Sequence, residues 1–408
     1  MTNHRIGLTL AVTAAAILAP TAPRAVEMTA GDWKFTASGN VNAHYILSKC
    51  DDTPSAVAGG LACTAVGNAD NTSSSVSNGL LPAALGITAS TTQGGYDLAA
   101  TFGLFPGIST NDGGSPNLEG NGPSNTALGT TGLDVRQVFL TFGNKTMGTF
   151  LLGRNIGLFG QDVILGDMTL IGVGAGGGDH AAPPNTSLGS IGLGYVYTDW
   201  LAQINYTTPD FSGLKFTVGI FDPLEPLDGS QAGPTPKSSP GFHGKVAYTA
   251  GDLYLSATFL SQKQKGTLAS ADYDSTGFDL GGKYKIGGLE LMGYYYNGSG
   301  IGTTGLFILS SDGLGRERDS DGFLAQVTYT LNKTKFGVNY GESNLDLASG
   351  EAPNPLLIKK NSKYTVGVYH KLTDNLTLLG EVSDIKAKAQ NGAENKAQTF
   401  NVGAFLAF

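Results

Sequence analysis

The sequence predicts an all-β fold, an antiparallel barrel of sixteen strands that spans a membrane. Three observations lead to this prediction. Only 14% of the 408 residues are charged, whereas 40% are apolar, and charged residues make up about 25% of an ordinary soluble domain. Apolar and polar residues alternate with a period of two along most of the chain, which is typical of β-strands with two different faces. Short turns and long loops alternate as the connections between these segments.

The chain begins with a predicted signal peptide over residues 1–25. Arg5 precedes an apolar run at residues 6–18, and prolines and Ala25 follow that run. A short basic region, an apolar run too short to span a membrane as a helix, and a small-residue cleavage region are typical of a secretory signal. A first helix of the folded protein is the alternative, although no polar face follows the run. We therefore expect residues 26–408 to be exported as the mature chain.

Cys50 and Cys63 are the two cysteines of the chain, and they lie in a stretch rich in Gly, Ala and Asp. An exported chain reaches an oxidising compartment, where two cysteines this close in sequence predict a disulfide that closes a surface loop. Closing so short a loop stabilises the fold by about 3 kcal/mol at most. A metal site is the rival interpretation, but two thiols without an adjacent histidine give it little support.

The first predicted strand shows the alternation most clearly. From Trp33 to Tyr45, one face carries Trp, Phe, Ala, Gly, Val and Tyr, and the other carries Lys, Thr, Ser, Asn and His. The same alternation recurs at residues 242–249, 278–286, 323–331, 336–340 and 399–408. Seven short turns and eight long loops separate such segments, which gives sixteen strands. The long loops are predicted at residues 50–79, 108–131, 155–189, 223–240, 266–273, 298–320, 343–360 and 389–395.

A closed membrane barrel explains this pattern physically. An open sheet in hydrocarbon leaves the N–H and C=O groups of its edges unpaired, so strands that span a membrane must close. In such a barrel the apolar face contacts lipid, and the polar face surrounds water. A secreted soluble sandwich or β-solenoid also has alternating strands, but its buried faces must be apolar. The polar character of the second face therefore favours the membrane barrel.

Composition and motifs argue against several other functions. The formal net charge of −8 disfavours a nucleic-acid partner, because phosphate binding needs a basic surface. The sequence contains no nucleophile elbow, no zinc-binding spacing and no glycine-rich phosphate loop between a strand and a helix. We therefore expect no enzyme activity, no bound metal and no cofactor.

Two parts of the chain resemble the Gram-negative general porins. Residues 133–157 are similar to strands four and five of that family and end in Gly-Arg-Asn-Ile-Gly. The trimeric porins of enteric bacteria carry a similar run, with an aromatic residue in place of Ile156. The carboxy-terminal run is similar to the signal by which such barrels are recognised for assembly, and its candidate residues are Gly403, Leu406 and Phe408.

The resemblance implies a location and a set of partners. We expect a homotrimer in the outer membrane of a Gram-negative bacterium, in contact with outer-membrane lipid and inserted by the barrel-assembly machinery. Its expected function is passive diffusion of small hydrophilic solutes and ions through a water-filled channel. A substrate-selective channel and a barrel that acts mainly as a surface receptor or adhesin are the alternatives.

The stretch at about 155–189 is the predicted constriction loop. It is longer than most structureless loops, and loops of that length are usually functional or disordered. Apolar pairs such as Leu158-Phe159 favour a third loop folded inward against the barrel wall. Asp162 and Asp167 are the candidates for the acidic side of the constriction, and the alternative is that both merely cap turns. Asp179 and His180 follow beyond a glycine-rich stretch.

Basic residues are expected to face these aspartates across the lumen. A ring of charges around a narrow passage sets ion selectivity, and a lysine facing lipid near the midplane costs roughly 2–4 kcal/mol. Arg136 and Arg154 share the parity of apolar residues in their strands, so a bulge or the rim must turn them inward. The resemblance favours this for Arg154. The candidates are Lys34, Arg154, Lys215, Lys245 and Lys283, with His44 on the same face as Lys34. Each lysine is equally compatible with a solvated wall charge.

Overall fold

A computed structural model describes residues 25–51, 55–63, 71–108, 133–176, 185–227, 238–265 and 272–408. The predicted signal peptide lies outside these residues except for Ala25. Asp179 and His180 also lie outside them. Within the described residues, no helix is both long and apolar enough to cross a membrane.

The described residues form an antiparallel sheet of eighteen strand segments, together with one short α-helix and one 3-10 helix. The strands are β1 Val26–Ala30, β2 Trp33–Cys50, β3 Thr72–Ser77, β4 Ala84–Gln93, β5 Tyr96–Pro106, β6 Leu133–Asn144, β7 Gly148–Ile156, β8 Trp200–Thr207, β9 Leu214–Phe221, β10 Gly241–Ala250, β11 Leu253–Gln264, β12 Tyr273–Ile286, β13 Leu289–Ser299, β14 Asp319–Leu331, β15 Thr334–Leu345, β16 Ile358–Lys371, β17 Leu376–Ala389 and β18 Glu394–Ala407. The helices are α1 Gln161–Gly166 and the 3-10 helix Met168–Ile171.

The sheet closes into a barrel because β18 pairs with β2, from Ala407 opposite Asn40 to Ala397 opposite Cys50. A strand has only two edges. On β2, His44 pairs with both β18 and β3, and Asn40 pairs with both β18 and β4. β3 and β4 therefore share the edge of β2 that faces away from β18.

The eighteen segments occupy sixteen positions around the barrel. β3 and β4 together fill one position, and β1 pairs with β2 on the edge that β18 also uses. The predicted closed barrel of sixteen strands is confirmed. One predicted loop, residues 50–79, is partly wrong, because β3 at Thr72–Ser77 belongs to the sheet.

Side-chain burial is the reverse of that in a soluble protein. On β2, the apolar residues Val41 and Tyr45 are 55% and 44% exposed, whereas Asn42 and His44 are each 1% exposed. The same contrast recurs on β17, where Val382 is exposed and its neighbour Ser383 is buried. The apolar face therefore lies outside and the polar face inside, which is the arrangement of a barrel that meets hydrocarbon rather than water.

A β-bulge in β6 changes which side chains face inward. Gln137 pairs with Gly103 and Val135 pairs with Leu104, so Arg136 is the extra residue between them. A bulge of this kind places two consecutive side chains on one face, and Arg136 and Gln137 are both buried. The Arg136 Nε donates to Asp134 Oδ2 at 2.6 Å. The bulge thus supplies the inward turn that the sequence pattern required of Arg136.

Residues 157–176 and 185–199, which connect β7 to β8, are called here the inner segment. Its stretch from Gly160 to Val173, which includes both helices, forms hydrogen bonds with polar side chains on β10, β12, β14, β15 and β17. Its apolar residues Phe159 and Val163 are buried, and they belong to one cluster with Tyr294 and Leu324 of the wall. The inner segment therefore packs against the inward face of the strands.

The interruption between β3 and β4 provides backbone partners for the inner segment. The Leu80 N–H donates to the Gly172 carbonyl at 2.7 Å, and the Leu81 N–H donates to the Leu170 carbonyl at 2.9 Å. The Asn42 side chain holds the interrupted strand in this position, because its Oδ1 accepts from the Gly79 N–H and its Nδ2 donates to the Leu81 carbonyl. Backbone groups that leave the sheet are thus satisfied inside the barrel.

Candidate functional site

Asp162 and Lys245 form an ion pair inside the barrel. Asp162 lies in the first turn of α1 and Lys245 lies on β10, and the Lys245 Nζ is 2.7 Å from Asp162 Oδ1. The lysine side chain is 10% exposed and the aspartate side chain 19%. Lys245 also donates to the Gln161 Oε1 at 2.9 Å. Two of the residues predicted from sequence therefore meet, one on the inner segment and one on the wall.

The surroundings of Asp162 keep it ionised. Burial raises the pKa of its carboxyl, but the Lys245 charge and hydrogen bonds from Lys245, Tyr254 and Ser256 lower it, and the net shift is downward. An opposite charge at hydrogen-bond distance is the usual cause of such a shift. At neutral pH the Asp162 side chain is therefore a carboxylate.

Lys283 of β12 lies against the other end of α1. A Cβ placed on Gly166, the last residue of α1, would lie 2.8 Å from both Cε and Nζ of Lys283. Directly before the first residue of α1, the Gly160 N–H donates to Asp279 Oδ2 of the same strand at 2.8 Å. The α-helix is thus held between an acidic and a basic side chain of β12, and Lys283 adds a second ammonium beside the Asp162–Lys245 pair.

Asp167 is buried and fully engaged in hydrogen bonds. Its Oδ1 accepts from the backbone N–H and the hydroxyl of Thr169, at 2.9 and 2.8 Å, so it caps the 3-10 helix. The Tyr195 hydroxyl donates to Oδ2 at 3.0 Å, and Asn339 Nδ2 donates to Oδ1 at 3.2 Å. Burial and the neighbouring carboxylate raise the pKa of Tyr195 well above its ordinary value. This environment matches the alternative in which Asp167 caps a turn.

Glu381 of β17 is a residue of this site that the sequence reasoning missed. It is 2% exposed, and its Oε2 accepts from the backbone N–H groups of Val173 and Gly174, both at 2.8 Å. Asn401 Nδ2 donates to the same oxygen at 3.0 Å, and the Tyr369 hydroxyl donates to Oε1 at 2.6 Å. Glu381 therefore binds the inner segment to the wall. Its place on the polar face of β17, beside Ser383, was the available signal.

Two further wall residues were missed. Gln326 of β14 accepts from the Met168 N–H at 2.7 Å and donates to the Gly166 carbonyl at 3.0 Å. Lys335 of β15 lies over the ring of Tyr369, with Nζ 4.5 Å from the ring centroid. Both lie on the inward face, where alternation places them, but alternation does not indicate which inward side chains meet the inner segment.

Lys34, Lys215 and Arg154 do not join this group. Lys34 is half exposed and its Nζ lies 2.7 Å from Glu27 Oε1, beside the turn that joins β1 to β2. Lys215 Nζ lies 3.5 Å from Asp210 Oδ2, beside the turn before β9. Arg154 pairs across the sheet with Val138, whose side chain is exposed on the outer face. Unlike Arg136, it has no bulge that brings it inward.

The disulfide between Cys50 and Cys63 is present, as predicted. The carboxy-terminal run lies beside the closure of the barrel: the Phe408 carbonyl accepts from the Gly39 N–H at 2.8 Å, and Leu406 is exposed on the outer face. A Cβ on Gly403 would lie 2.2 Å from Nδ1 of the buried His44. Among the described residues, no cluster of three or more His, Cys, Asp or Glu side chains is arranged to hold a metal ion.

Solved structures of outer-membrane channels share this fold. The outer membrane channel DcaP of Acinetobacter baumannii has a TM-score of 0.67 and 16% identity, over 93% of this chain and 99% of that one. OmpF of Salmonella typhi in complex with daunomycin has a TM-score of 0.60 and 12% identity, over 94% and 100%. The anion-selective porin from Comamonas acidovorans has a TM-score of 0.59 and 17% identity, over 92% and 100%. Identities this low show similarity of fold alone.

The family is established by the sequence. No curated protein matches the chain, but the model of a Gram-negative porin family matches residues 8–390. This match covers most of the chain, including every strand from β1 to β17, and the closed barrel with an apolar outer face agrees with it. The chain therefore belongs to the Gram-negative porins, the outer-membrane channels through which small solutes diffuse passively.

Proposed function

We propose that the inner segment is the third loop of the porin, folded inward to narrow the lumen, and that Asp162, Lys245 and Lys283 set the charge that a passing solute meets. The ion pair between Lys245 Nζ and Asp162 Oδ1, at 2.7 Å, is the observation that carries this proposal. It joins the connection between β7 and β8 to the inward face of β10. A narrow passage lined by such charges discriminates among ions by sign.

We further propose a preference for anions. Lys245 neutralises Asp162, whereas Lys283 and Lys335 add positive charge on the same inward face. The neighbouring carboxylates of Asp167 and Glu381 are buried under N–H and O–H donors. A mobile ion therefore meets more positive than negative charge. The similarity in fold to a porin described as anion-selective, from Comamonas acidovorans, is compatible with this sign.

The test is the reversal potential of single channels in a planar bilayer under a salt gradient. We expect K245Q and K283Q to shift it toward cation preference and D162N to shift it further toward anion preference. K215Q is the matched control, because it removes the same charge beside a turn, where Lys215 contacts Asp210. Unchanged reversal potentials in the first three variants would remove these residues from the constriction. A purified barrel with no conductance would favour the receptor or adhesin role instead.

We also propose that the barrel assembles as a homotrimer in contact with outer-membrane lipid. Its exposed apolar face supports this, since that face needs hydrocarbon or another subunit to cover it. Recognition by the barrel-assembly machinery is assigned to Gly403, Leu406 and Phe408, which lie in or directly after the strand that closes the barrel. Chemical cross-linking in isolated outer membranes, with a largest product of three chains, tests the oligomer. Deleting Phe408 tests the signal, with less folded barrel as the expected result.

A further inference from the structure

The disulfide-closed loop between β2 and β3 is bound to the wall of the barrel: Ala62 and Cys63 are buried, whereas Ala58 remains exposed. Residues 55–63 of this connection are called here the first loop. The Ala58 N–H donates to the Leu356 carbonyl, and the Ile358 N–H donates to the Ala58 carbonyl, both at 2.8 Å. The side chain of Asn361 on β16 accepts from the Leu61 N–H at 3.0 Å and donates to the Gly59 carbonyl at 3.1 Å. The first loop is therefore bound to the beginning of β16.

Other strands of the wall hold the same loop. Asn395 of β18 accepts from the Ser55 N–H and donates to the Ser55 carbonyl, both at 2.7 Å. Directly beside Cys50, the Asp51 N–H donates to the Lys396 carbonyl at 3.0 Å. Four backbone groups of the first loop are thus satisfied by two asparagine side chains of the wall. Such pairing orders a segment that has no regular secondary structure.

The inward face of the wall is apolar where the first loop meets it. On β17 the inward residues Glu381 and Ser383 are polar, but Ile385, Ala387 and Ala389, nearer the long-loop end, are buried and apolar. This is where the alternation of apolar outside and polar inside breaks down. A buried apolar face inside a channel needs an apolar partner to exclude water.

The first loop and the inner segment supply that partner together. One cluster contains Ala62 and Cys63 of the first loop, Ala175 and Leu193 of the inner segment, and Ile385 and other residues of the wall, with Leu61 packed against it. A Cβ on Gly192 would lie 2.6 Å from Leu61 Cδ1. The two connections therefore contact each other as closely as a glycine permits.

We propose that the first loop is a positioning element of the channel: Leu61 and the Cys50–Cys63 disulfide hold residues 188–196 of the inner segment against the wall and so fix the width of the constriction. This inference rests on the proposed function of the inner segment. The disulfide limits the conformations open to the first loop, and Leu61 transmits that restriction to Gly192. None of these residues is charged, so the first loop acts on the width of the passage and not on its charge.

The experiment compares L61A with L314A by single-channel recording of the full-length channel. Leu314 is an exposed leucine in the connection between β13 and β14, so L314A is the matched control. We expect the L61A channel to spend at least roughly tenfold more time at a higher conductance, a factor that corresponds to about 1.4 kcal/mol. Its reversal potential should stay at the wild-type value. L314A should match wild type in both.

A second measurement guards against variants that fail to fold. Wild-type channels already inserted in the bilayer are treated with the reductant TCEP, and the C50S/C63S double variant is the control for effects unrelated to the disulfide. The proposal is supported if TCEP increases the conductance fluctuations of wild type. The double variant should already show increased fluctuations, and TCEP should not change them. The proposal is overturned if TCEP leaves the wild-type current unaltered and the L61A current equals that of wild type, even where thermal stability falls. If K245Q shifts the reversal potential while L61A changes nothing, only this inference fails; if both are silent, the proposed constriction fails as well.

Discussion

Replacing Glu381 by alanine removes the carboxylate that binds the inner segment to β17. Four donors lose their acceptor: the N–H groups of Val173 and Gly174, the Tyr369 hydroxyl and the Asn401 amide. A hydrogen bond to a charged group contributes about 1.5–3 kcal/mol, and these contributions do not add fully because the four donors share one carboxylate. Removing one partner of a buried charged network typically costs about 3–5 kcal/mol. We expect E381A to lower the free energy of unfolding by about that amount.

Two assays follow the loss separately. Denaturant unfolding in lipid vesicles, monitored by the fluorescence of Trp33 and Trp200, measures the stability of the whole barrel. Single-channel recording measures the amplitude and noise of the current, which depend on the position of the inner segment. In E381A this segment should leave the wall near Gly174, and the currents should be larger and noisier. E290Q is the matched control, because Glu290 forms an ion pair with Lys285 that is largely exposed on the lysine side. Such pairs contribute about 1 kcal/mol or less.

The result that refutes this reasoning is specific. If E381A unfolds at the wild-type denaturant concentration and conducts with wild-type amplitude and noise, the Glu381 carboxylate does not hold the inner segment. If E290Q and E381A lose equal stability, the buried position of Glu381 has no special importance. A stability loss without any change in the current would show that the contact at Val173 and Gly174 does not determine the width of the passage.

Three further outcomes are expected. G403A should disfavour closure of the barrel by about 1–3 kcal/mol, the usual cost of overpacking, because its Cβ would meet His44 Nδ1. The folded fraction on unheated gels measures this loss. G293A is the control, because a Cβ at Gly293 meets nothing within 4 Å. Hydrogen bonds from Arg318 lower the pKa of Glu351 below its ordinary 4.5, although burial raises it. The stability advantage of wild type over E351Q should therefore be present above pH 4.5 and disappear as the pH falls below about 4.5. Thermal unfolding of both proteins across that pH range measures this difference. The pKa of Asp162 is likewise below its ordinary 3.8, so the difference in reversal potential between wild type and D162N should hold down to about pH 4 and vanish only in stronger acid.

Alternation along the chain was enough to predict the wall of the barrel. The face of β2 that carries Asn42 and His44 is buried, and the face that carries Val41 and Tyr45 is exposed, as a period of two requires. The disulfide between Cys50 and Cys63 followed from the predicted export signal and the spacing of the two cysteines. Each of these inferences depends on residues that are close together in the sequence.

Contacts between distant residues were beyond the same reasoning. Lys245, Lys283, Lys34 and Lys215 look alike in the sequence, but only the first two meet α1. Glu381 binds residues more than two hundred positions earlier in the chain. The bulge at Arg136 follows from the register between β5 and β6, which the pattern of one strand does not contain. Side-chain alternation gives the face of a residue and not its height along the barrel axis.

The pairing of Asn40 with Ala407 joins β2 to β18, the last strand of the barrel in chain order. Because β2 and β18 lie far apart in the chain, this seam forms only once β18 is available to pair with β2. Every shorter intermediate carries two free strand edges, and such edges are templates for aggregation. Those edges are therefore paired only when the fourteen residues of β18 are in place.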